Sequence, residues 1–181
     1  MSKSLIELLR GLPANERHYP AGKRIFRQGD KVLVLHHVLD GNVHLVRHNI
    51  GGHALVLQRA TGHAILAEAS VFAERYHCDA VAVLPTRTRA IDRSVLEAAF
   101  ARDPDLARAW AEHLAREVQA ARLRAEILSL RTVAERLDAW VAMNVRQFPA
   151  KGHWKTVAAE IGTSPEALYR EIAKRRTSQR S

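Results

Sequence analysis

The sequence predicts an α+β protein, with a strand-rich antiparallel N-terminal half and an all-helical C-terminal half. Three observations predict it. Up to Asp92, short apolar stretches with a period near two lie between closely spaced glycine turns. From Ser94 onward the period lengthens to between three and four residues. Near the end, Gly162 is followed by Thr163-Ser164-Pro165-Glu166, the punctuation of two short helices joined by a tight turn.

Residues 4–10, SLIELLR, form a short amphipathic helix closed by Gly11 and Pro13. Strand character starts near Tyr19. KRIFRQGD stops at Gly29-Asp30, VLVLHHVLDGNVHLVRH has the hairpin signal Asp40-Gly41-Asn42 at its centre, and a second turn falls at Gly51-Gly52. CDAVAVLP and TRTRAID are two further strands separated at Pro85. After a helix over 94–102, Asp103 caps a long helix of residues 104–128 with Pro104 in its first turn. The apolar stripe of that helix is Leu106, Trp110, Leu114, Val118, Ala121, Ala125 and Leu128. Spacings that alternate between four and three mark the seam of a helix pair, with the small Ala121 and Ala125 permitting close approach. The alternative is packing on the home domain, and both hold if the upper part packs at home and the lower part pairs. Thr132-Val133-Ala134-Glu135 is a capping box that opens a further helix to about Phe148. The expected organisation is therefore residues 1–103, a linking helix 104–130, and a C-terminal domain 131–181.

The chain has 181 residues and a formal net charge of +9, which favours a polyanionic partner, nucleic acid first. One cysteine excludes an internal disulfide and fits a reducing, cytoplasmic setting. No apolar run approaches a membrane span, and the N-terminus lacks the pattern of a secretory signal.

In residues 154–174, WKTVAAEIGTSPEALYREIAK, the first helix buries Val157, Ala158 and Ile161 and the second buries Leu168 and Ile172. Ser164 caps the second helix, and Glu166, Arg170 and Lys174 share another of its faces. This is the helix-turn-helix pattern, in which the second helix enters the major groove of double-stranded DNA. Arginine reads guanine bidentately and glutamate accepts from cytosine N4, while Lys155, Thr163 and Ser164 are placed to meet phosphates. The segment KRRTSQR adds basic charge directly after.

Four stretches, YPAGKRIFRQGD, VLDGNVHLV, AEASVFAERYHCDA and TVAAEIGTSPEALYREIAK, come in the order of one known family. Together they resemble the catabolite-activator/fumarate-nitrate-reductase (CRP/FNR) superfamily of bacterial transcription regulators, over nearly the whole chain. The resemblance implies an N-terminal β-roll of the cyclic-nucleotide-binding kind, a long dimerisation helix and a C-terminal winged helix-turn-helix. It places Glu166 and Arg170 at base-reading positions, with Pro165 where the family often has arginine. The polar RRTSQRS is too short to supply the family's wing, so a full wing is not expected and a disordered basic tail is one alternative.

The same resemblance aligns AEASVFAERYHCDA with the family's phosphate-binding cassette. Glu68 is kept, Ala67 stands for its glycine, Cys78 for its arginine and Asp79 for its hydroxyl residue. A buried phosphate needs charge-assisted hydrogen bonds. Cys78 supplies no cation and Asp79 adds repulsion, so a cyclic nucleotide is not the expected effector; Arg75 is the nearest substitute cation. The expected effector pocket is Glu68, Ser70, His77, Cys78 and Asp79. Ten histidines leave metal, haem or a redox sensor open, with His63, His77 and Cys78 as candidate ligands, although His77 and Cys78 point to opposite strand faces; the alternative is surface or packing histidines and a buried structural cysteine. The family's iron–sulfur branch needs several cysteines and is excluded.

The leading reading is a homodimeric, sequence-specific DNA-binding regulator that recognises an inverted repeat, with RNA polymerase a further candidate partner and no membrane involvement. The alternative is a sensor module that dimerises, binds DNA weakly and acts through a protein partner. An enzyme is not expected, because Cys78 has no recognisable base-orienting triad or oxyanion motif around it.

Overall fold

The computed structural model describes residues 4–48, 54–143, 152 and 154–178. Its chain divides into two compact units, Met1–Leu114 and Ala115–Ser181. The division falls inside the long helix, whereas the boundaries expected from sequence fall at helix ends.

The first unit opens with α1 (Leu5–Arg10), fixed by a complete capping box between Ser4 and Glu7. Among the described residues eight strands follow: β1 (Asn15–Tyr19), β2 (Arg24–Phe26), β3 (Val34–Asp40), β4 (Asn42–His48), β5 (Ala54–Thr61), β6 (Ile65–Leu66), β7 (Asp79–Ala82) and β8 (Thr86–Asp92). They make two antiparallel four-stranded sheets, ordered β1-β8-β3-β6 and β2-β7-β4-β5.

The Asp40-Gly41-Asn42 turn therefore does not make the hairpin its sequence suggests. β3 pairs with β6 and β8, while β4 pairs with β5 and β7. The chain crosses from one sheet to the other at Gly41, whose φ is +98°. A Cβ there would lie 2.4 Å from Thr86 Oγ1 and 2.6 Å from the Pro85 carbonyl oxygen, so only glycine lets the two turns nest. Gly51-Gly52 lies outside the described residues, but the strands beside it pair as far as His48↔Ala54, as a hairpin requires.

One apolar cluster draws side chains from both sheets: Phe26, Val38, Val43, Leu45, Leu66, Tyr76, Cys78 and Ala80 among them. A second packs α1 and the following helices against the sheet that holds β3 and β8, through Leu5, Leu9, Leu35, Ile91, Leu96, Leu106 and Trp110. β3 is covered on both faces, which is why His36 and His37 are buried although they are adjacent. Those covering helices are α2 (Arg93–Arg102) and the start of α3 (Pro104–Ser129). Asp103 caps α3 by accepting from the Asp105 and Leu106 amides, at 3.0 and 3.1 Å.

In the second unit, α4 (Val133–Met143), α5 (Trp154–Glu160) and α6 (Pro165–Ser178) enclose Ile127, Leu137, Val157, Ala158, Ile161, Leu168 and Ile172. The Thr132–Glu135 capping box opens α4 as expected. The expected end of that helix near Phe148 lies outside the described residues. Helical structure in α6 runs through KRRTS to Ser178, so this part of the basic segment is not an irregular tail.

Candidate functional site

Two parts of the chain carry the chemistry. The first is the pair α5–α6. Gly162 joins them with φ +64°, and a Cβ at that position would lie 2.4 Å from Leu128 Cδ2. Ser164 Oγ accepts from the Ala167 amide at 3.1 Å, so its lone pair serves the helix cap while its proton remains available to an acceptor. Leu168 and Ile172 are fully buried, and this anchors α6 in one rotation about its axis. Glu166, Arg170 and Lys174 are consequently turned outward together, with Lys155 exposed at the start of α5 and Thr163 half-buried in the turn.

Arg136 holds this unit together, and sequence reasoning missed it. Its guanidinium donates to the carbonyls of Leu130 at 2.8 Å, Ile161 at 3.2 Å, Gly162 at 3.0 Å and Leu128 at 3.2 Å. The end of α3 and the turn between α5 and α6 thus share one cation. In the sequence it reads as one more arginine on an amphipathic helix.

The lower stripe of α3 is open, with Val118 and Leu128 each more than 40% exposed and Ala121 and Ala125 exposed. The upper stripe is not. Trp110 is 3% exposed within the first unit's core, so its indole is not free to line a helix pair, while Leu114 packs against the same core and is half-buried. Of the stripe expected to form a seam, the exposed part begins at Val118.

The second part is the cassette of residues 64–82. Ala67 adopts φ +50°, the left-handed backbone that favours glycine. Cys78 is fully buried in the cluster between the sheets, and burial pushes its thiol pKa up, so it stays protonated. Beside it Phe26 and Tyr76 stack with ring centroids 3.8 Å apart. Tyr76 gives its hydroxyl proton to the Val34 carbonyl, and burial raises its pKa to about 12.

Asp79 is not loose in this space. Its Oδ1 accepts from the Gln28 amide at 2.7 Å and its Oδ2 lies 3.6 Å from Arg24 Nε. Buried Ser70 bonds His77 Nδ1 through Oγ at 2.8 Å, and His77, pushed toward its neutral form first by burial and then by Arg47, is exposed. Arg47 Nε donates to the His77 carbonyl at 3.1 Å. Arg75, the expected substitute cation, gives Nη1 to the Gly29 carbonyl at 2.8 Å on the surface.

The candidate metal ligands do not converge. Cys78 points into the apolar cluster, while His63 lies beside His37, with ring centroids 6.2 Å apart. Among the described residues no three His, Cys, Asp or Glu side chains come together in a metal-binding group. No described helix is long and apolar enough to cross a membrane.

Comparison with known proteins places these features in one context. Residues 16–103 match the model of the cyclic nucleotide-binding domain family. The cyclic AMP receptor protein of Thermus thermophilus is 33% identical over 162 residues, covering 86% of this chain and 74% of that one. The crystal structure of the Thermus thermophilus catabolite activator protein, 31% identical, aligns with a TM-score of 0.58 over 92% of this chain and 80% of that one. FixK2 from Bradyrhizobium japonicum, 20% identical, shares the fold with a TM-score of 0.69 over 93% of this chain and 87% of that chain. One-third identity sustained across both the sheets and the helices leaves one assignment: the chain belongs to the CRP/FNR superfamily of transcription regulators.

Proposed function

We propose that this chain is a homodimeric, sequence-specific DNA-binding regulator whose β-roll responds to an effector other than a cyclic nucleotide. The observation that carries the DNA reading is the outward face of α6. Leu168 and Ile172 lock the helix, and Glu166, Arg170 and Lys174 stand together on its exposed side. Groups of this type and spacing read base edges in a major groove. The open stripe Val118, Ala121, Ala125 and Leu128 supports pairing of two α3 helices, and two-fold pairing calls for an inverted repeat.

The effector reading rests on Cys78. The position that would hold a phosphate's cation holds a protonated thiol amid apolar side chains, and Arg75 is engaged at Gly29. A phosphate brought there would lose its hydration without a charge-assisted partner. The relative of that name receives cyclic AMP; this chain lacks the means to do so in the same way.

Two measurements test the proposal. Selection from random duplexes should return an inverted repeat, bound by a dimer. Calorimetry with cyclic AMP and cyclic GMP should show no binding, and neither should alter affinity for the selected repeat. Micromolar binding of either nucleotide removes the effector reading. Failure to enrich any sequence removes the regulator reading.

A further inference from the structure

Arg175 and Arg176 are neighbours on α6 with opposite surroundings. Arg175 donates to the carboxylates of Asp138 and Glu171 and to the Ala134 carbonyl, so each of its three nitrogens is engaged within the unit. Arg176 is exposed, and among the described residues its only specific contact is with a ring: its guanidinium carbon lies 5.2 Å from the centroid of Trp154. Trp154 in turn packs against Tyr169, with ring centroids 5.3 Å apart. Tyr169 is itself 37% exposed, while Trp154 is half-buried at the edge of the unit's core, so the pair borders solvent. A ring face fixes a guanidinium by cation–π attraction and occupies none of its five N–H donors. The product is a planar cation held in place with its hydrogen-bonding edge open, the arrangement that suits a phosphate oxygen pair.

Position along the helix agrees. At about 100° per residue, Arg176 projects roughly 80° from Glu166, roughly 120° from Arg170 and roughly 160° from Lys174. It therefore lies outside the reading face, on the side of α6 that meets Trp154, where only backbone and not base edges would be within its reach. Trp154 opens α5, next to Lys155, and brings the first helix to the same flank.

We propose that Arg176, seated on Trp154 and braced by Tyr169, binds a DNA backbone phosphate beside the major groove. The site adds affinity and orientation without reading sequence. It rests on the DNA reading above and names a contact that reading lacks.

The test is the salt dependence of binding, measured on the selected inverted repeat and on an unrelated duplex of equal length. Arg176→Gln should weaken both duplexes by the same factor. It should also flatten the plot of log affinity against log salt by about one unit per subunit engaged. Arg176→Lys should keep the slope and lose part of the affinity, because an ammonium lacks the planar fork. Tyr169→Ala, an exposed change, should likewise lower affinity with the slope kept, since it loosens the seat and leaves the charge. An unchanged slope in Arg176→Gln overturns the proposal, and so does a loss confined to the selected repeat, which marks a base contact. Full recovery of affinity by Arg176→Lys overturns the role of the ring. If the unmodified protein binds neither duplex, it is the DNA reading itself that fails.

Discussion

His36 and His37 are adjacent, buried and held neutral, each with a pKa lowered from 6.5 to about 4. Burial is the main cause for both, followed by Arg17 for His36 and by Arg10, His63 and Arg89 for His37. His36 shares a hydrogen bond with Thr88 Oγ1 at 3.1 Å, whereas among the described residues no hydrogen-bond partner reaches either ring nitrogen of His37. The unfolded chain takes up protons at these rings once the pH falls below about 6.5, and the folded chain does not until about 4. Stability contributed by the neutral rings is therefore complete above pH 6.5 and declines progressively toward pH 4. Urea unfolding midpoints should fall between pH 7 and pH 5. His37→Leu should flatten that fall, because an apolar side chain has no proton to gain. A midpoint independent of pH in this window counts against the buried, neutral state of both rings. Cys78 marks the limit of sequence reading at this scale. The loss of a cation at that position is legible, but its complete enclosure by Phe26, Tyr76 and their neighbours is not, because those contacts join strands far apart in the chain.

Among the elements, the helices were the most legible. Asp103, Thr132 and Ser164 each act as the cap their sequence announces, because capping is local chemistry. Strands were less so. β1 is a mostly exposed edge strand with no alternation to detect, and β6 has two residues. The Asp40-Gly41-Asn42 turn was found but its partner strands were not, since a turn fixes a reversal and not a pairing. The turn between α5 and α6 lends itself to a direct test. Gly162→Ala forces a left-handed alanine onto Leu128 and should destabilise the C-terminal unit by about 1–2 kcal/mol, read by thermal unfolding. Arg136→Ala should cost at least as much, because four carbonyls lose a shared donor. On α3, Ala121→Glu should weaken the dimer by placing charge in the seam, seen as a shift toward monomer mass in sedimentation. An unchanged dimer mass at low micromolar concentration would move the interface elsewhere.

For the whole molecule, the expected division of labour on DNA is between reading and holding. Arg170→Ala should cost about 1–3 kcal/mol on the selected repeat and relax preference at one base pair per half-site. Lys155→Ala should weaken all duplexes alike. Competition binding against single-base variants of the repeat separates the two, and an intact preference in Arg170→Ala would reassign the reading face. The Glu166–Arg170 face was visible in the sequence because four-residue spacing alone defines it. Arg136 and Arg176 were not, because what distinguishes them from other surface arginines is what they meet in space.

The crossing at Gly41 has a kinetic consequence. Because it denies β3 and β4 each other, most ladders of the sheets join distant segments: Asn15 pairs with Ala90, Leu35 with Ile91 and Arg24 with Val81. Among the described residues, only the β4–β5 ladder is close to local. The first sheet cannot be completed until the chain through Asp92 is present, and each long loop must close before its contacts stabilise anything. The C-terminal unit, built from successive short helices, carries no such delay. Refolding after denaturant dilution should therefore show helical signal recovered in an early phase and the burial of Tyr76 in a slower one. During synthesis, a ribosome stalled before residue 92 should expose an N-terminal segment that a protease cuts freely, and one stalled well beyond it should not.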